Sequence, residues 1–283
     1  MIIDFHAHTF PDKLAPSTIQ LLSEKGHIHP FTNGTVGGLA ASMRKAGVDR
    51  SVVLPVATNT RQVPRVNDAS ARLCETGAAD GILSFGCMHP DYPDWKEELA
   101  RIAALGLKGI KLHPVYQDID FDDPRTLRIL ERAAEVGLVV ITHAGLDVGF
   151  PGKTNCSPDK VLRAVQAVGP MKLVLAHMGG WRNWDQVEEL LVDTGVYLDT
   201  SVSLGELVPN GDGVFGPADL KLMADEQFLR MVRSFGPHRF LFATDSPWGG
   251  QAEELAKLRA LPLIVEEQEA ILGGNAMRLL NLS

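Results

Sequence analysis

The sequence predicts an α/β fold, a (β/α)8 TIM barrel occupying residues 1–283 as one domain, and three observations carry that prediction. Short apolar runs recur at Ile2–Phe5, Ser51–Val56, Ile82–Cys87, Gly109–Leu112, Leu138–Thr142, Leu173–Ala176, Val196–Leu198 and Phe240–Ala243. Most lack strict polar alternation, as strands do when both faces of a parallel sheet are covered. Helical patterns separate them, and a glycine suited to a left-handed cap follows helix after helix, at Gly47, Gly77, Gly106, Gly137, Gly169, Gly195 and Gly236. A doubly wound open sheet is the competing arrangement, but no glycine-rich turn follows the first run.

The first run leads into Asp4-Phe5-His6-Ala7-His8. Alternation along a strand puts Asp4, His6 and His8 on one face, with the imidazoles about 6.5 Å apart at their Cα atoms, close enough to share a cation. A His-x-His pair alone is a weak signal, so the rest of the chain must supply further ligands. A long connection, Thr9 to Leu39, comes next. His27 and His29 repeat the spacing there with no strand to orient them, and read as lid residues. Helices are expected over Asp94–Leu105, Arg125–Val136, Ser157–Val168 and Asn183–Thr194, the third opened by an N-cap serine and a proline in Ser157-Pro158. A second long connection, Ser201 to Arg230, follows the seventh run. Around a closed barrel both connections overhang the mouth beside Asp245, where a lid belongs. Val265–Leu280 reads as the closing helical segment.

Composition narrows the function classes. A hydrophobic fraction of 45% with 22% charged residues suits a soluble globular protein. The net charge of −8 argues against nucleic-acid or membrane-surface partners, which reward basic patches. Cys74, Cys87 and Cys156 are odd in number and far apart, as reduced thiols are in a cytoplasmic protein. No run reaches membrane-spanning length, and no secretory leader is visible.

Polar chemistry collects at one end of the expected barrel. His6, His8, His89, His113, His143 and His177 fall at or just past the C-terminal ends of predicted strands, and the eighth strand runs into Thr244-Asp245-Ser246-Pro247-Trp248. That end is where barrel enzymes gather catalytic groups. With Gly109-Ile110-Lys111-Leu112-His113-Pro114, Ala176-His177-Met178-Gly179-Gly180 and the closing Asn275-Ala276-Met277-Arg278-Leu279-Leu280, the whole chain resembles the amidohydrolase superfamily. The likeness is to its amidohydrolase-related branch, which holds aminocarboxymuconate semialdehyde decarboxylase-like and lactonase-like TIM-barrel enzymes.

The resemblance implies one divalent metal ion, usually zinc, on His6, His8, His143 and Asp245, with His177 and Asp245 as the catalytic acid and base. Neutral imidazoles and a carboxylate suit such an ion, and the ion brings the pKa of a bound water to about 7. Binuclear superfamily members carry a carboxylated lysine after the fourth strand. Branch members with a similar Ile-Lys-Leu-His-Pro string use one metal, so one is expected here. His113 then lines the substrate pocket and Lys111 is a buried partner for a carboxylate, Asp4 or Asp199.

Arg61, Arg65 and Arg182 lie in loops that could reach the mouth and hold a carboxylate, the alternative for each being a solvated loop arginine. Trp181, Trp184 and Trp248 could wall a ring-shaped substrate. The expected function is metal-dependent hydrolysis of an ester, lactone or amide of a small molecule. The alternative is a non-oxidative decarboxylase on the same scaffold, and a non-catalytic metal-binding barrel is the reading from a different class. An arginine beside the metal would mark the decarboxylase, an arginine-free pocket the hydrolase. Members of the branch are often homodimers.

Overall fold

The computed structural model describes residues 1–282 apart from Glu206, Pro217, Ala218 and Lys221. In chain order its strands are β1 Ile3–Ala7, β2 Arg50–Val53, β3 Ile82–Ser84, β4 Gly86–Cys87, β5 Gly109–Leu112, β6 Val139–Thr142, β7 Leu173–Leu175, β8 Tyr197–Asp199 and β9 Phe240–Leu241. All pair in parallel with their sequence neighbours, β1 to β3 in one ladder and β4 to β9 in another. β3 and β4 are the one predicted third run, interrupted at Phe85, whose N–H donates back to Val53 at 2.9 Å. From β9 the path returns to β1 through Phe5 N–H to Phe242 O at 2.9 Å, Asp245 N–H to His6 O at 2.7 Å and His8 N–H to Ser246 O at 2.6 Å. The protein is a TIM barrel, and each of the predicted runs supplies strand.

Two apolar layers explain why these runs lack polar alternation. Ile3, Phe5, Phe85, Ile141, Val174 and Leu241 fill the barrel interior, while Ile110, Val140, Leu173, Leu175 and Phe240 face the helices. Each such side chain contributes roughly 1.5–3 kcal/mol by leaving water. Ala276, Leu279 and Leu280 plug the interior cluster from the helix Asn275–Leu280. The closing segment is not one helix. Val265–Glu269 passes through a π-helical turn, Ala270–Gly274, where a Cβ on Gly273 would stand 2.3 Å from the carbonyl of Met1.

The expected helices form as Trp95–Ala104, Pro124–Glu135, Pro158–Val168 and Trp184–Leu191. Two local expectations need correction. Gly77 is not a left-handed cap, with φ of −91°. The chain runs on into the 3-10 turn Ala78–Asp80, and Gly81, at φ 74°, makes the left-handed turn instead. Gly169 and Gly236, though at positive φ, lie outside the left-handed helical region at ψ −155° and 138°. Ser157 precedes Pro158 as expected, but its hydroxyl bonds the Asp159 carboxylate at 2.5 Å and caps no backbone N–H.

The first long connection contains the helix Ala15–Gly26. It meets the second through an antiparallel bridge between Ile28 and Pro209, with His29 N–H on Val208 O at 2.7 Å and the His27 ring 2.7 Å from Asp212. The two connections are thereby tied together over the mouth. No helix among the described residues is long and apolar enough to cross a membrane.

Candidate metal centre

The site begins with an irregularity in β1. The register with β2 shifts between Asp4 and Ala7. Phe5 therefore points into the interior cluster, and Asp4 does not share the face of His6 and His8 as simple alternation predicted. Its carboxylate accepts from Thr244 N at 3.0 Å, Thr244 Oγ1 at 2.7 Å and Gln251 Nε2 at 2.7 Å. Asp4 thus ties the first strand to the segment after β9. Burial pushes its carboxyl up to about 6, against the pull of those hydrogen bonds.

His6 and His8 turn towards one point. His6 Nδ1 lies 2.8 Å from Asp199 Oδ2, and His8 Nδ1 lies 2.8 Å from the Leu54 carbonyl. Both outer partners accept, so each ring carries its proton on Nδ1 and turns an Nε2 lone pair inward. Those Nε2 atoms are 3.1 Å apart, and Asp245 Oδ1 lies 3.2 Å from His6 and 3.0 Å from His8. Three acceptors this close repel one another unless a proton or a cation stands among them, and the Lys111 ammonium reaches only His6 Nε2, at 3.1 Å. A divalent cation fits that donor set.

Burial, then the Lys111 charge, lowers His6 to about 4, so the ring is neutral at pH 7. Burial alone would raise Asp245, but His6 and His8 hold it below the usual carboxylate range. Burial would likewise raise Asp199, and His6, His177 and Ser201 bring it to about 2. Lys111 Nζ sits 3.1 Å from His6 Nε2 and is lowered to about 8, mainly by burial. Its hydrogen-bond partner is therefore His6, with Asp199 acting on it only through its charge.

His143, the fourth expected ligand, stands outside that tight group. Its Nδ1 is 3.1 Å from His177 Nε2, its Nε2 is 3.2 Å from the Leu146 carbonyl, and its ring stacks on His113 at 4.4 Å and 10°. His177 in turn reaches Ser201 Oγ at 2.9 Å, and Ser201 donates to Asp199 Oδ1 at 2.5 Å. Burial and the neighbouring His143 lower His177 to about 3. Left-handed backbone holds several of these groups: φ is 59° at His177, 57° at Met178, 43° at Val202 and 59° at Asp245. L-residues avoid that region at a cost of about 1–2 kcal/mol each, and such strain gathers at functional sites. Gly145 permits the tight seam between the two rims, since a Cβ there would stand 2.2 Å from Trp181 N.

His6, His8, Lys111, His143, His177 and Asp245 open into one cavity. His113, Trp181 and Trp248 line it. Trp184 does not; its indole N–H holds the His177 carbonyl at 3.0 Å. His89 accepts from Asp91 N within its own turn. No arginine lines the cavity among the described residues. Arg61, in the 3-10 turn Thr60–Gln62, and Arg65, in the helix Val63–Thr76, are exposed. Arg182 lies over the Trp181 ring at 4.7 Å and donates to the Asp219 carbonyl.

Sequence reasoning missed three residues. Asp147 lies 3.7 Å from His113 Nε2 and 3.8 Å from His143 Nε2, in a loop with no periodicity to reveal it. Tyr116 stacks on His113 at 3.9 Å. Lys25 reaches the cavity from the first long connection, and looks like any lysine near a helix end.

A family model for amidohydrolases matches residues 3–282. No curated protein matches the chain. Among solved structures, an uncharacterised TIM-barrel protein from Bordetella bronchiseptica is 19% identical with a TM-score of 0.76, covering 99% of this chain and 98% of its own. The 5-carboxyvanillate decarboxylase of Sphingomonas paucimobilis is 18% identical with a TM-score of 0.69, covering 100% and 99%. That of Novosphingobium aromaticivorans, solved with manganese and a nitrobenzoic acid, is 15% identical with a TM-score of 0.70, covering 100% and 96%. At such identities the likeness speaks for the fold.

Proposed function

The chain belongs to the amidohydrolase family, and from that premise we propose an enzyme that removes a carboxyl group from a small ring-bearing acid, using one divalent cation. The observation that carries this reading is the convergence of His6 Nε2, His8 Nε2 and Asp245 Oδ1 within 3.0–3.2 Å in a ring-walled cavity. The hydrolysis expected from the sequence is withdrawn, because the characterised structures of like fold named above are decarboxylases. The arginine-free wall does not restore it. Lys111, which lines the cavity next to His6, brings a positive charge where an arginine was expected.

His6, His8 and Asp245, with His143 from the neighbouring rim, would hold the cation. Imidazoles and a carboxylate suit zinc, whereas the Novosphingobium enzyme was solved with manganese, and reconstitution decides between them. A cation there supplies a positive charge that draws in a carboxylate and stabilises negative charge developing on substrate oxygens. Loss of CO2 breaks a carbon–carbon bond and leaves its electron pair on the ring carbon, which must take up a proton. His177 is the residue we assign to deliver it. Burial keeps the free ring neutral, while Asp199 and Asp245 favour its charged form. An anionic substrate adds a further negative charge beside it and raises its proton affinity. Ser201 fixes the ring through Nδ1.

Three cysteines free of disulfides support a cytoplasmic location, and a net charge of −8 supports a small-molecule substrate over nucleic acid or membrane; a homodimer is the assembly we propose. The test is chemical. Zinc- or manganese-loaded protein given hydroxylated benzene carboxylates should release CO2 and, in D2O, place deuterium on the carbon that lost it. Acid released from lactones or esters with no CO2 from any carboxylate would overturn the reading. His177→Asn should keep its metal and lose about 10²–10⁴-fold in kcat.

A further inference from the structure

We propose that the cavity mouth holds an anion subsite built on Lys25, which selects substrates carrying a second negative group on the ring edge remote from the cation ligands. This deepens the decarboxylase reading and rests on it for what happens at the inner end. Lys25 is the penultimate residue of the helix Ala15–Gly26 and lines the same cavity as His6 and Asp245. Its Nζ lies 3.4 Å from the centroid of Phe150 and 5.7 Å from that of Tyr116. Its stem passes close to Gly149, where an added Cβ would meet Lys25 Cγ at 3.5 Å. The ring faces hold the ammonium at the mouth through their quadrupoles. A ring face leaves N–H donors of the ammonium unspent.

Lys25 forms no ion pair among the described residues, and the cavity's own charges are already engaged. Asp245 faces His6 and His8, Asp147 accepts from Gly149 N at 2.7 Å and faces His113 and His143, and Lys111 is bonded to His6. Among the described residues Lys25 is thus a cavity cation with no acid to satisfy it. A continuous ring wall leads inward from it: Phe150 to Tyr116 at 5.2 Å, Tyr116 to His113 at 3.9 Å, His113 to His143 at 4.4 Å. A planar substrate lying along that wall places one acid group by the cation ligands and its far edge under Lys25.

The experiment compares two probes, benzene-1,3-dicarboxylate and benzoate, on metal-loaded protein, followed by fluorescence of Trp181 and Trp248, which line the cavity. Wild type should bind the dianion more tightly. Lys25→Met should weaken the dianion about tenfold or more with benzoate unchanged, and Lys25→Arg should recover much of the loss. Lys25 is exposed, so the variant should keep the circular dichroism and metal content of wild type. An unchanged dianion affinity, or an equal loss for both probes, would overturn the subsite. Probe discrimination without CO2 release from any carboxylate would retain the subsite and sink the decarboxylase instead.

Discussion

His6, His8 and Asp245 occupy one corner of the cavity; His113, His143 and Asp147 occupy another. Both corners hold two imidazoles and one carboxylate, and the first is the better arranged to close on a cation, with His143 proposed to join it from the second. An imidazole binds a cation in its own plane, along a nitrogen lone pair. The His6 and His8 rings cross at 71°, so their planes intersect and their Nε2 atoms approach to 3.1 Å. The His113 and His143 rings are stacked at 10°, so their planes run side by side, and their Nε2 atoms stand 3.7 and 3.8 Å from Asp147. Outer hydrogen bonds complete the contrast. Asp199 and Leu54 fix both tautomers in the first corner, whereas His113 Nδ1 in the second is buried with no partner among the described residues. Residue type nominates a ligand, and ring orientation with its outer partner ranks the two corners.

The largest expected effect tests that contrast directly. His6→Ala should lower metal affinity and turnover together by more than about a hundredfold, while Asp147→Asn should leave metal content by mass spectrometry at the wild-type level. Loss of metal in Asp147→Asn would break the comparison. A smaller effect sharpens it. Asp199→Asn removes the carboxylate that sets the His6 tautomer, and should weaken metal binding about ten- to hundredfold in a chelator competition while the fold persists.

The smallest effect is a pH dependence of the metal-free protein. His6, lowered to about 4, and His177, lowered to about 3, stay neutral when folded, whereas unfolded histidines take up a proton near pH 6.5. Between those values the unfolded chain binds more protons, so stability falls as pH drops from 6.5 towards 4. His89, His113 and His143 are lowered too and act in the same sense. Asp4 and Glu254, raised by burial, act in the opposite sense, and two groups offset five only in part. The melting temperature of metal-stripped protein by circular dichroism should therefore be several degrees lower at pH 5 than at pH 7.5. An equal or higher value at pH 5 would show that the rings are already charged when folded.

Much of the scaffold was legible because buried strands and helix caps write themselves locally. The runs from Ile2 to Ala243 became strands, and His6, His8 and Asp245 were marked by their place at strand ends. What escaped depends on other parts of the chain. The shift between Asp4 and Ala7 comes from how β1 meets β2, so counting along one strand assigned Asp4 to the wrong face. Arg61, Arg65 and Arg182 were candidates by loop position, but the turn and helix after β2 and the Trp181 ring direct them elsewhere. Lys25 and Asp147 carry no motif; only the folded loops bring them to the cavity. The expectation of hydrolysis failed because metal and acid/base residues are common to hydrolysis and decarboxylation.

The bridge from Ile28 to Pro209 joins two segments that lie far apart in the chain. The first of them, Thr9 to Leu39, reaches the cavity through Phe10, Leu22, Lys25 and Ile28, and brings none of the groups assigned to the cation. Appetite for one molecule over another can therefore drift in that canopy without retuning the reactive heart beneath it. An engineer seeking a new specificity would graft there first.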